Sequence, residues 1–154
     1  MCRPEKPVWR KAVATDVPDI AAMAVDFYRH EHLEFIPRRF TAALRGLLKS
    51  KSCGAAWLIE SDGKAIGYVI VCCGYSIEYG GITALVDELY VHAAHRARGI
   101  GTATLEFLSC EAKARGWPAI QLEVVRANVR AAALYKRNGF EDIGRTLLTR
   151  RLDR

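Results

Sequence analysis

The chain has 154 residues, 51% hydrophobic and 26% charged, with a formal net charge of +6. That balance excludes disordered and fibrous classes and fits a single domain over 1–154 with its core at 7–152. No apolar run reaches the ~20 residues of a bilayer span, and Met1 to Pro7 lacks the apolar core of a secretory signal, so a cytoplasmic protein without membrane partners is expected.

Val8 to Val13 reads as a first strand. Thr15 or Asp16 then caps a helix entered through Pro18, which is tolerated where a first-turn N–H has no partner. Ile20, Met23, Ala24 and Phe27 follow at helical spacing, and Pro37 opens a second helix with Phe40, Leu44, Leu47 and Leu48 on one face. Strands over Ala55–Glu60 and Ala65–Tyr75 flank the turn Ser61-Asp62-Gly63, and Ile82–Val91 resumes the pattern after Gly80-Gly81. The order then changes to helix (Arg98–Ala114), strand (Ile120–Val125) and helix (Asn128–Asn138). Gly116-Trp117-Pro118 stops the first of these helices, and Gly139 suits a left-handed cap on the second. Phe140–Arg154 reads as one or two strands hinged near Gly144. The pattern is an α/β fold on a mixed sheet, antiparallel early, with a parallel crossover in its second half.

Five cysteines, an odd number with no CxxC pair, argue against a zinc or redox site. Cys72 and Cys73 read as small core hydrophobes. His30 and His32 are two apart, a poor spacing for one helix face, and no metal site is expected. The whole charge excess lies in the last 59 residues, where Arg96 to Arg154 holds twelve Lys/Arg against six Asp/Glu. Nucleic acid, an acidic membrane or a polyanionic small molecule could each use such a surface.

One segment favours the small molecule. Arg96-Ala97-Arg98-Gly99-Ile100-Gly101-Thr102 joins a strand to the start of a long helix. A helix start offers N–H groups without intrahelical partners and a partial positive charge. Glycines at 99 and 101 let phosphate oxygens approach the backbone, while Arg96 and Arg98 add cations. The Rossmann fingerprint is not met, because Thr104 stands where its third glycine would be. The P-loop also fails, for want of a Gly-Lys-Ser/Thr. No interleaved aromatic platform accompanies the basic residues, which removes nucleic acid from the expected partners.

Arg96-x-x-Gly99-x-Gly101, following Asp87-Glu88-Leu89-Tyr90-Val91, closely resembles motif A of the GNAT superfamily of N-acetyltransferases. Downstream, Asn128-x-x-Ala131-x-x-Leu134-Tyr135-x-x-x-Gly139-Phe140 resembles the superfamily's second stretch, in the expected order and at the expected separation. The resemblance implies a mainly antiparallel mixed sheet flanked by helices, with a V-shaped opening between the fourth and fifth strands. It implies acetyl-CoA as co-substrate, with no metal. The pyrophosphate would lie on Arg96, Arg98, Gly99, Ile100, Gly101 and Thr102. The pantetheine arm would lie against the backbone of Leu89 and Val91 and against Asn128, which is otherwise a helix cap alone.

An ammonium of ordinary pKa near 10.4 must lose a proton before it can attack a thioester. Glu88 is the expected base, or else it binds the acceptor's ammonium without moving protons. Asp87 should face the other side of the strand unless a β-bulge upsets the alternation. Tyr135 matches the family tyrosine that protonates the departing thiolate, or else is a packed aromatic. Glu31 and Glu34, in an acidic and aromatic stretch, are expected to bind the acceptor, a small cationic amine. The Asp87–Val91 strand also looks like that of diamine and polyamine acetyltransferases. A peptide or protein amine is the alternative acceptor, and a non-catalytic acyl-CoA-binding regulator is the other reading. Relatives that pair through their last strands make a homodimer the expected assembly.

Overall fold

The computed structural model describes residues 6–152. One open five-stranded sheet runs in the order β1 (Val8–Lys11), β2 (Gly54–Ser61), β3 (Lys64–Ser76), β4 (Gly81–Val91), β5 (Ile120–Leu122). The first four strands are antiparallel neighbours, and β5 lies parallel to β4. Helices α1 (Val17–His30) and α2 (Pro37–Lys49) join β1 to β2, α3 (Ile100–Ala114) crosses from β4 to β5, and α4 (Val129–Arg137) follows β5.

Helices cover both faces of the sheet, which is why β2 and β3 are nearly continuous apolar runs rather than alternating ones. Ala55–Ile59 and Ile66–Val71 carry buried residues on both sides, with Gly67 passing close to the Tyr90 backbone. On one face Val17, Ile20, Phe40 and Leu44 of α1 and α2 pack on Leu58, Tyr68, Ile70 and Tyr90. On the other, Leu108 and Phe107 of α3 pack on Trp57, Val69, Val71 and Val86. Trp9 stacks on Phe107 and its Nε1 donates to Thr104 Oγ1 at 3.0 Å, so β1 is tied to α3 across the sheet. Truncating the buried Trp57 on this face to alanine would cost about 3–5 kcal/mol.

The feature that shapes the site is a bulge in β4. Ile70 of β3 lies opposite Glu88, whereas Val71 lies opposite Val86, so Asp87 is an extra residue without a partner. A bulge bends its strand and sharpens the local twist. The pairing of β4 with β5 ends at the same place, covering only Ala84–Val86 against Ile120–Leu122. Beyond it the two strands part, giving the V-shaped opening that the resemblance implies.

The structure differs from the sequence-based expectation in several places. The strand expected over Ile120–Val125 stops at Leu122, because β4 turns away at Asp87 and offers Glu123–Val125 no partner. The helix expected from Arg98 begins at Ile100, because Gly99 is left-handed (φ 78°). No strand forms among residues 140–152; adjacent Leu147 and Leu148 break the alternation a half-buried strand needs, and both are exposed. This segment is tied to the β3–β4 hairpin through Arg145, whose guanidinium donates to both carboxylate oxygens of Glu78 at 2.6 and 3.2 Å. Asp16 precedes α1 as expected but makes no side-chain cap. Its carboxylate accepts two bonds from Arg10 and one from the Val13 N–H. No helix among the described residues is long and apolar enough to cross a membrane.

Candidate active site

A cavity of about 540 Å3 fills the opening between β4 and β5, walled by the end of α1, the start of α3 and the inner face of α4. Its backbone edge comes from β4. The His92 N–H donates to Ile66 O on the β3 side (2.8 Å). Strand alternation therefore turns the N–H groups of Leu89 and Val91 towards the opening. Leu89 and Val91 both line it.

The turn into α3 supplies donors. Ala97 and Gly99 both adopt left-handed backbone (φ 61° and 78°), folding the chain back so that the helix starts at the cavity. Gly99 provides no side-chain cap, and the first intrahelical bond found there is Ala103 N–H to Gly99 O at 2.9 Å. The N–H groups of Ile100, Gly101 and Thr102 are thus without helical partners, and all three residues line the cavity. Gly101 lets α4 pack close: a Cβ there would stand 3.0 Å from Leu134 Cδ2 of α4. The same helix pair is joined by Asn138 Nδ2 to Thr102 Oγ1 at 3.5 Å.

Arg96 lines the cavity but is braced: Nε donates to Val91 O at 2.8 Å and the guanidinium lies 5.6 Å from the Tyr90 ring centre. Arg98 is exposed and outside the lining. Glu31 lines the cavity, whereas Glu34 is exposed and does not. Asn128 caps α4 through Oδ1, which accepts from Ala131 N–H at 3.1 Å, while Nδ2 donates to Glu31 Oε1 at 3.3 Å. Tyr135 lines the cavity and its ring meets Phe140 edge-on at 6.0 Å. Its hydroxyl makes no hydrogen bond to a described residue. Burial, and then the Glu31 carboxylate, raise its pKa above the ordinary tyrosine value, so it keeps its proton.

Glu88 is placed differently from the expectation. It is 7% exposed, lies beneath α1 and does not line the cavity. Tyr28 Oη donates to its Oε1 at 2.9 Å and Tyr68 Oη to its Oε2 at 2.7 Å. Burial raises its pKa, although both tyrosine bonds oppose the shift. Asp87 lines the cavity instead. It is exposed there, and partial desolvation raises its carboxyl above the ordinary range.

The family of GNAT acetyltransferase domains matches residues 52–142, from the start of β2 past α4. The chain belongs to this family. An uncharacterised N-acetyltransferase of Methanocaldococcus jannaschii is 36% identical over 88 residues, 56% of this chain and 38% of that protein, so this chain spans well under half of that relative. The thialysine N-epsilon-acetyltransferase of Mus musculus is 28% identical over 144 residues, covering 87% of this chain and 84% of that one. The solved structure of a predicted acetyltransferase of Clostridium acetobutylicum with acetyl-CoA has a TM-score of 0.80 at 21% identity. That likeness covers 94% of this chain and 96% of the other.

Within this GNAT domain, Arg130, Arg137 and Glu123 are charged cavity residues that the sequence-based expectation did not name. Arg130 and Arg137 line the cavity from α4 with Leu134 between them. Their i, i+4, i+7 spacing is a single helix face, a signal present in the sequence. Glu123 also lines it, but only the early end of β5 frees its position. Among the described residues, no group of three His, Cys, Asp or Glu is placed to hold a metal.

Proposed function

We propose that this GNAT domain transfers an acetyl group from acetyl-CoA to the amine of a small cationic acceptor. The observation that carries the reading is the mixed lining of one cavity. Amide donors at the start of α3 and guanidiniums on α4 suit phosphates, while carboxylates from α1, β4 and the segment after β5 suit an ammonium.

The residues present fit a CoA ester. Ile100, Gly101 and Thr102 would hold the pyrophosphate through backbone N–H groups, with Arg137 beside them because Gly101 touches Leu134 one turn earlier on α4. Arg96 would brace the β4–α3 turn that aims those groups, and exposed Arg98 would meet outer phosphate oxygens. The open edge at Leu89 and Val91 and the Asn128 amide would hold the pantetheine arm. When bound, the ester supplies an activated acetyl group.

Asp87 is the proton acceptor in this reading, in place of Glu88, because it reaches the cavity and its raised pKa makes it a better base than an ordinary carboxylate. Glu31 would orient the ammonium, with Glu34 adding only long-range attraction from outside. Tyr135 holds a proton throughout the neutral range and would deliver it to the departing sulfur. The exposed Ile143, Leu147, Leu148 and Leu152 support the homodimer expected from the sequence, and the free thiols Cys53, Cys72, Cys73 and Cys110 suit a reducing cytoplasm.

The test is release of free CoA thiol from acetyl-CoA with a panel of diamines, amino acids, aminoglycosides and short peptides. Release stimulated by small cationic amines supports the proposal. Stimulation by peptides alone, or binding of acetyl-CoA with no stimulated release, defeats it.

A further inference from the structure

We infer that Glu88 is a positioning residue: its buried carboxylate, clamped by the hydroxyls of Tyr28 and Tyr68, fixes the β4 bulge so that Asp87 faces the cavity. The inference rests on the reading of Asp87 as proton acceptor. Its starting point is a problem of register. Two adjacent acids stand where strand alternation sends one to each side, and a slip of one residue exchanges them.

The bulge decides which goes where. Val86 packs on the α3 side of the sheet, with Val69, Val71 and Leu108. Two residues on, Glu88 is on the opposite side, bonded to Tyr28 of α1. In an unbroken strand these two would share a face; the unpaired Asp87 accounts for the change of parity. From Glu88 onward regular alternation returns, with Leu89 against the α3-side clusters and Tyr90 in the α1–α2 cluster.

The clamp selects this register. Tyr28 comes from α1 and Tyr68 from β3, and the two hydroxyls meet one oxygen each of the same carboxylate, at 2.9 and 2.7 Å. The Tyr68 side chain is fully buried, and its ring stacks on Tyr90 at 5.8 Å between centres. Tyr28 is held edge-on by Phe35 and Phe40 at 5.1 and 6.0 Å. Both donors are therefore held in place by packing that does not involve the carboxylate. In the slipped register these hydroxyls would meet the shorter Asp87 side chain, and Glu88 would be driven towards the apolar α3 side. A buried carboxylate without donors is costly. Neighbouring Asp87 raises the Glu88 pKa further, while the two tyrosine hydroxyls favour its charged form.

The experiment compares Asp87→Asn, Glu88→Gln and Tyr68→Phe in the full chain. Each is assayed for CoA thiol release across pH, acetyl-CoA affinity by calorimetry and fold by circular dichroism. Asp87→Asn is expected to abolish turnover. Glu88→Gln and Tyr68→Phe should lower kcat by about 10- to 100-fold, as expected for a misplaced reacting group, with acetyl-CoA affinity unchanged. They should also move the acid limb of the kcat/KM profile, because an Asp87 drawn beneath α1 towards the tyrosine hydroxyls leaves the cavity surroundings that set its pKa. A folded Glu88→Gln with unaltered kcat and acid limb would overturn the inference. If Glu88→Gln fails to fold, Tyr68→Phe decides the question through the same readouts. Full turnover in Asp87→Asn would instead remove the proton-acceptor reading and the inference with it.

Discussion

Asn128 divides its side-chain amide between two helices: Oδ1 caps α4 at the Ala131 N–H, and Nδ2 reaches Glu31 Oε1 at the end of α1. The contact bridges 97 positions of sequence and closes one wall of the cavity. Asn128→Ala removes cap and bridge together. It should lower stability by about 1 kcal/mol, the usual worth of an N-cap, and raise KM for both substrates. Asn128→Asp keeps a capping oxygen but sets a carboxylate against Glu31. It should retain most of the melting temperature while still raising KM, and thermal melts beside steady-state kinetics separate the two effects.

Gly101 and Leu134 test whether the spacing of α3 and α4 controls cofactor binding. A Cβ at 101 would stand 3.0 Å from Leu134 Cδ2, closer than nearly all real Cβ contacts. Gly101→Ala therefore requires the Leu134 side chain to give by a few tenths of an ångström, or α4 to move with Arg137 and Tyr135 on it. Affinity for acetyl-CoA should fall about tenfold, equivalent to roughly 1.4 kcal/mol. Leu134→Ala alone should cost stability, but combined with Gly101→Ala it should restore part of the lost affinity. Strictly additive losses in the double variant would show that the contact does not carry the effect.

The fold was legible in the sequence to the extent that local signals decide it. Pro37 opens α2, Ser61-Asp62-Gly63 turns β2 into β3, and Gly99-Ile100-Gly101 marks the start of α3 to within two residues. The cavity residues of motif A were legible for the same reason, since their spacing along one turn is their chemistry. The orientation of Asp87 and Glu88 was not. It depends on a one-residue insertion relative to β3 and on two tyrosines 20 and 60 positions away, none of which alternation within β4 reveals. The end of β5 was likewise set by its neighbour, because Glu123, Val124 and Val125 continue a good strand pattern beside a β4 that has turned away.

Arg130 and Arg137 line the cavity and are proposed to meet the phosphates of the cofactor, and their substitution should discriminate among ligands. Arg137→Ala should weaken CoA binding by about 1.5–3 kcal/mol if it makes one charge-assisted bond. It should leave the binding of acetyl-pantetheine, which lacks the phosphates, unchanged. The wild-type affinity for CoA should also fall with added salt, and the slope should be shallower in the variant. Equal losses for the two ligands would place the residue away from any phosphate.

Tyr135 carries the prediction with the clearest pH signature. Burial first, and the Glu31 carboxylate second, raise the pKa of its phenol, so its O–H persists to a higher pH than that of an exposed tyrosine. Turnover that depends on this proton should hold through neutral pH and fall on the alkaline side only above about pH 10, the ordinary tyrosine value. Tyr135→Phe should lower kcat about 100-fold or more, the range general acids supply. Acetyl-CoA affinity should be little changed, because the ring and its contact with Phe140 remain. Glu31→Gln removes the second cause of the raised pKa and should move the alkaline limb to lower pH. A Tyr135→Phe enzyme with unaltered kcat would show that the proton reaches the sulfur from solvent, and the Glu31→Gln profile should then stay where the wild type puts it.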